Sequence, residues 1–197
     1  MKNFMNKDSD ITRFASLPSS ARRASSALSI GGNIGFWLQI VLGAVAAIIL
    51  LFSTAILSGG ESTSNNSGSA FALFCATAGV LTLAVSIFFF YRYKVIARLI
   101  QASDRAERPK KLYTLKLVKF GLIANLTGML ISIIGAEAFA GLLYAKASKI
   151  PLGAAVYSTS RLIEPVEITV LLANIHTIFS HFAGIAIGLW LLDRLNK

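Results

Sequence analysis

The chain has little of what chemistry in water requires. Its single cysteine, Cys75, rules out an intrachain disulfide and leaves the redox compartment unread. It holds no nucleotide-binding glycine loop, zinc-ligand spacing, HExxH pair or nucleophile elbow. The segments between its apolar runs are too short and too basic to build a catalytic pocket, so an enzyme is not expected. Charge is scarce too: 14% of the 197 residues are charged and 55% are hydrophobic, unusual for a water-soluble domain. The net charge of +10 would suit a nucleic acid, but no RNA- or DNA-reading module is recognisable. The basic residues cluster instead beside the apolar runs, where anionic lipid headgroups attract each by about 1 kcal/mol.

What is present are four long apolar runs, at residues 35–57, 70–90, 120–145 and 168–192. Each reaches the roughly 20 residues that a helix needs to cross a hydrocarbon core of about 30 Å. The first run carries only Gln39, Ser53 and Thr54 as polar groups, and lacks the polar stripe of a soluble amphipathic helix. The expected fold is all-α: an integral membrane four-helix bundle made of two transmembrane hairpins in one domain, residues 35–193. A basic, Ser-rich tail precedes it (1–34) and a short tail follows (194–197).

Lys and Arg divide unevenly among the segments. Five precede the first span, none lies in the 58–69 connection, nine lie between residues 91 and 119, three between the last two spans, and two at the C-terminal end. With both termini and the middle loop inside, sixteen basic residues are inside and three outside, which predicts an N-in, C-in chain. The first run is too long for the apolar part of a signal peptide, and no small-residue cleavage pattern follows it, so it reads as an uncleaved anchor. Residues 11–28 place Ile11, Phe14, Leu17, Ala21, Ala24 and Leu28 at helical spacing. They read either as an interfacial amphipathic helix interrupted at Pro18 or as a disordered basic tail. Asp8, Asp10 and the short length before Gly35 argue against a transit peptide. Asn65-Asn66-Ser67 matches a glycosylation acceptor, but so does Asn125-Leu126-Thr127 within a span, which empties the match of meaning.

Small and polar residues recur on one face of each span, as expected where close backbone approach rather than hydrophobicity drives helix association. The stripes are Gln39, Gly43, Ala47; Ala72, Cys75, Gly79, Thr82, Ser86; Gly121, Asn125, Gly128, Ser132, Gly135; and Asn174, Thr177, His181, Gly184, Gly188. Gly79, Gly121, Asn125, Gly128, Gly184 and Gly188 are the expected packing positions. Three ionisable groups fall within spans: Glu137, His176 and His181. Glu137 is off the Gly128 stripe and nine residues before Lys146, about 13 Å inside the helix end. It must be paired, protonated or facing a wet cavity, as a proton or cation ligand or as a structural carboxylate. His176 and His181 point about 140° apart and cannot share one metal. A metal or substrate set of Glu137, His176, His181, Asn174 and Cys75 stands against a plain packing role for each. The basic middle segment, with Arg92, Lys94, Arg98, Arg105, Arg108, Lys110 and Lys111, suits anionic headgroups or an acidic partner.

Four stretches carry a family resemblance: GFWLQIVLGAVAAIILLFS from Gly35, CATAGVLTLAVSIFFFYRY from Cys75, GLIANLTGMLISIIGAEAFAGLLYAKA from Gly121, and ANIHTIFSHFAGI from Ala173. In order and spacing the chain resembles a family of cyanobacterial and plastid membrane proteins. That family is described both as Permease in Chloroplasts and as the twenty-one-kilodalton subunit of the inner-envelope import translocon. The resemblance implies four helices in a plastid inner envelope or a cyanobacterial membrane, and a role in iron passage or in protein import. It implies no required cofactor, with iron as a transported ion, and no catalytic residues. Without a long N-terminal extension, the chain looks like a bacterial relative, which weakens an import role. Two readings follow: a permease-like protein for iron or another divalent cation, or a non-transporting assembly or translocation subunit. A homo-oligomer or a fixed complex partner fits either.

Overall fold

The computed structural model describes residues 18–59, 67–101, 108–148 and 165–196. They form four helices: α1 Ser19–Gly59, α2 Ser67–Ile100, α3 Lys111–Ala147 and α4 Pro165–Asn196. No strand occurs among the described residues. All four are long and apolar enough to cross a membrane, and the protein is a multi-pass membrane protein.

Helix ends follow local chemistry. Pro18 directly precedes α1, and its carbonyl accepts the Arg22 amide at 3.0 Å, closing the first turn. Pro165 opens α4, where its missing N–H and fixed φ cost nothing, and Glu167 follows in the first turn, where the helix dipole favours an anion. Arg98, Lys146 and Arg194 sit in the last turns of α2, α3 and α4, where the dipole favours cations. Lys146 also pairs with Glu167, joining the α3 and α4 ends.

The helices run up-down-up-down around a square. Gly32 meets Phe90 and Gly43 meets Leu83, Gly121 meets Tyr93 and Gly135 meets Cys75, so numbers rise on one helix as they fall on the next; early Gly31 likewise meets late Leu191. Every helix therefore packs on two others, and α2 also approaches α4 across the diagonal. Both described chain ends, the end of α2 and the start of α3 lie at one end of the bundle.

That end extends further than hydropathy suggests. At about 1.5 Å per residue, the 41 residues of α1 run about 60 Å, twice the hydrocarbon thickness. Residues 19–34 continue the first span as one helix instead of forming a separate interfacial helix or tail, while residues 11–17 lie outside the described residues. The cause is packing. Ala27 and Leu28 join Phe90, Tyr93, Ile96, Val118 and Leu191 in one apolar cluster. Ser25 donates to the Ala97 carbonyl at 2.9 Å and accepts from Gln101 Nε2 at 2.8 Å. A second cluster, with Leu50, Ala72, Ala76, Phe139, Val170 and Ala173, closes the other end. Outward, Trp37, Leu51, Phe74 and Leu130 are all more than half exposed, a surface that suits lipid tails and would aggregate in water.

Candidate functional site

Midway along the bundle the four helices meet through polar side chains. Gln39 of α1 lies fully buried and takes three hydrogen bonds. Its Oε1 accepts from Ser86 Oγ of α2 at 2.8 Å, and its Nε2 donates to Asn125 Oδ1 of α3 at 2.8 Å and to the Ser180 carbonyl of α4 at 3.2 Å. Asn125 Nδ2 donates to the Gly121 carbonyl at 2.9 Å, which turns its Oδ1 inward. His181, also fully buried, places Nδ1 3.1 Å from that Oδ1 and Nε2 3.2 Å from the Gly79 carbonyl of α2. Both ring nitrogens thus face oxygen acceptors. A neutral imidazole donates from one nitrogen only, whereas the imidazolium donates from both.

Glycines make room for this network. A Cβ on Gly184 would strike Asn125 Oδ1 and Gln39 Nε2; one on Gly128 would strike the His181 ring and come within 2.6 Å of Thr82 Oγ1. One on Gly79 would strike Ser132 Oγ, and one on Gly121 the Tyr93 hydroxyl. Gly188 differs, because its Cβ would meet Leu122 at an ordinary 3.4 Å. Close approach is therefore required at Gly79, Gly121, Gly128 and Gly184, and not at Gly188.

The candidate cation ligands are not brought together. Glu137 is exposed on the outer face of α3. His176 is half-buried, with Nδ1 2.9 Å from the Leu172 carbonyl of its own helix. Cys75 is buried beside Gly135. Asn174 is buried, donating to the Val170 carbonyl at 3.4 Å, with its Oδ1 unpartnered. His181 alone lies inside the central network. Among the described residues no three His, Cys, Asp or Glu side chains converge as a metal site. Glu137 and His181 share no interior space.

The basic segment also divides. Arg92 donates to the Tyr113 hydroxyl at 2.9 Å, and Lys94 lies half-buried with its Nζ 4.4 Å from the Phe36 ring centroid. Arg98 and Lys110 are exposed, Arg108 and Lys111 line a pocket at the basic end, and Arg105 lies outside the described residues. The sequence places Gln39 and Ser86 on the small-and-polar stripes, and neither is among the expected packing or functional positions. The signal was there: Gln39 is the lone amide in its apolar run, and a lone amide in lipid must find partners on other helices.

An up-down four-span bundle with a central polar layer defines a class of membrane protein, not an activity. Within that class the chain belongs to the family described as protein of unknown function DUF3611, whose model matches residues 18–196. It is 33% identical over 171 residues to Protein TIC 21, chloroplastic, of Arabidopsis thaliana. The match covers 84% of this chain and 55% of the relative, so the chain spans about half of that protein's length. No solved structure matches it.

Proposed function

We propose that the protein is a non-transporting membrane subunit that assembles laterally with another transmembrane helix through the Glu137 face of α3. The observation that carries this reading is an exposed carboxylate on an otherwise apolar, lipid-facing surface. Leu130, Ile133 and Ile134 flank it on one side and Tyr144 on the other, all exposed. An acidic side chain near a helix centre costs about 2.5–3.5 kcal/mol on insertion scales, a cost that a polar partner on a docked helix removes. Gly141 lies one turn further on the same outer face, with nothing within 4 Å of a Cβ built there. The inward glycines are occupied by the bundle's own side chains; this one leaves room for a neighbouring helix.

After gentle solubilisation the wild-type chain is expected to migrate as an assembly larger than one 21.1 kDa subunit. Glu137→Leu and Gly141→Leu should each release single chains with unchanged helicity, since neither side chain holds the bundle together. Cross-linking then tells a second copy from a different subunit. Wild-type chains that stay single in mild detergent, without any fixed companion, would remove the proposal.

A second reading, passage of iron or another cation along the bundle axis, draws on three buried polar atoms without partners: Ser132 Oγ, Asn174 Oδ1 and Ser180 Oγ. With His181 they are among the polar groups of the interior. Iron uptake by proteoliposomes that is lost in His181→Ala supports this reading; uptake at the protein-free rate rejects it. The same proposals place the basic end inside, by the excess of Lys and Arg there, in a plastid inner envelope or a cyanobacterial membrane. Cysteines introduced at Lys110 and at Ser148 should accept a membrane-impermeant thiol reagent from opposite sides, with buried Cys75 silent.

A further inference from the structure

At the basic end, between the start of α1, the start of α3 and the end of α4, lies a pocket of about 510 Å³. Four cationic side chains line it, Arg23 of α1, Arg108 and Lys111 at the start of α3, and Arg194 of α4. Among the described residues no carboxylate does. The positive charge of Arg23, Lys111 and Arg194 on one cavity favours an anion there. The remainder of the lining is mainly apolar, including Ile30 and Trp190. Arg194 lies with its guanidinium carbon 5.9 Å from the Trp190 ring centroid, so aromatic and cation form one wall. Ile30 is 51% and Trp190 38% exposed, and below Ile30 the outer face of α1 continues through exposed Ile34 and Trp37. The cavity therefore opens onto the lipid-facing surface.

We infer that this pocket is a binding site for one acidic phospholipid, its phosphate among Arg23, Lys111 and Arg194 and an acyl chain running along Ile30 and Trp190. Free phosphate satisfies the cations but leaves the apolar wall bare; a zwitterionic lipid fills the wall but brings its own cation to the cluster. An acidic phospholipid meets both demands. The location also fits, because these residues lie where a helix leaves the hydrocarbon and enters the headgroup layer, the depth at which Trp and Arg are enriched. The inference is independent of the lateral-assembly reading, since Glu137 lies toward the opposite end of α3.

The test uses the whole chain, reconstituted with equal parts phosphatidylglycerol and phosphatidylcholine, then extracted gently and weighed by native mass spectrometry. Wild-type protein is expected to retain one phosphatidylglycerol in preference to phosphatidylcholine, undisturbed by millimolar inorganic phosphate. The triple variant Arg23→Gln/Lys111→Gln/Arg194→Gln should retain it at least about tenfold less. A charge-matched control, Arg98→Gln/Lys116→Gln/Lys119→Gln, removes three exposed cations outside the pocket and should stay within about twofold of wild type. Equal loss in both variants would reduce the site to diffuse attraction, and displacement by inorganic phosphate would make it a free-anion site; either overturns the proposal. Should the pocket variant fail to fold, Trp190 reports directly. In a Trp37→Phe chain it becomes the only tryptophan, and brominated phosphatidylglycerol should quench it more strongly than brominated phosphatidylcholine. Equal quenching overturns the site.

Discussion

A Gly128→Ala protein is expected to unfold at distinctly lower denaturing-detergent fraction than wild type, by about 1–3 kcal/mol, the usual cost of overpacking a closed core. The new methyl group would fall on the His181 ring and 2.6 Å from Thr82 Oγ1. Neither neighbour can retreat freely. His181 is held at Nδ1 by Asn125 and at Nε2 by the Gly79 carbonyl, and Thr82 donates to the Gly79 carbonyl at 2.8 Å. Gly188→Ala supplies the control on α4: its Cβ meets Leu122 at 3.4 Å, so stability should stay within about 0.5 kcal/mol of wild type. Equal effects of the two substitutions would mean that the central layer yields easily, and that the glycines around it matter only as small residues.

The second large effect is expected from Gln39→Leu, which keeps the approximate volume but removes the amide. Ser86 Oγ, Asn125 Oδ1 and the Ser180 carbonyl each lose a partner. Interhelical hydrogen bonds within membranes average about 0.6 kcal/mol and reach about 1.7. Three such bonds therefore predict a loss of about 2 kcal/mol, in the same detergent titration. Because Gln39 and Asn125 share a bond, the double variant Gln39→Leu/Asn125→Leu should be less destabilised than the sum of the singles, with a coupling of at least about 0.5 kcal/mol. Strict additivity would show that the bond adds nothing in the folded bundle.

Much of the architecture is legible in the sequence, because in lipid the span length and the small-residue stripes are imposed by the solvent. Glu137 lies off the Gly128 stripe in the sequence and outside the bundle in space; His176 and His181 diverge by helical periodicity, and one is half-buried while the other is enclosed. What hydropathy could not reveal is where α1 begins. Residues 19–34 carry Ser, Arg and Asn that break an apolar window, yet Ala27 and Leu28 bury themselves against α2 and the other helices. The helical spacing of Ala21, Ala24 and Leu28 marks a helix there, but its union with the first span is a tertiary gain that hydropathy does not record. The pocket at the basic end was hidden for the same reason: Arg23 and Arg194 are 171 positions apart in the chain, and only closure of the square puts them on one cavity.

The central polar layer also has an order of assembly written into it. Ser86 and Gln39 are partners within the first hairpin, and Asn125 and His181 are partners within the second. Within this layer, the Gln39–Asn125, Gln39–Ser180 and His181–Gly79 links join one hairpin to the other. In the first hairpin alone Gln39 keeps Ser86, but its Nε2 donors find acceptors only on the second hairpin. When the halves meet, the amide and imidazole interlock at one depth, so a pairing displaced by a turn leaves those buried groups without these partners and is disfavoured.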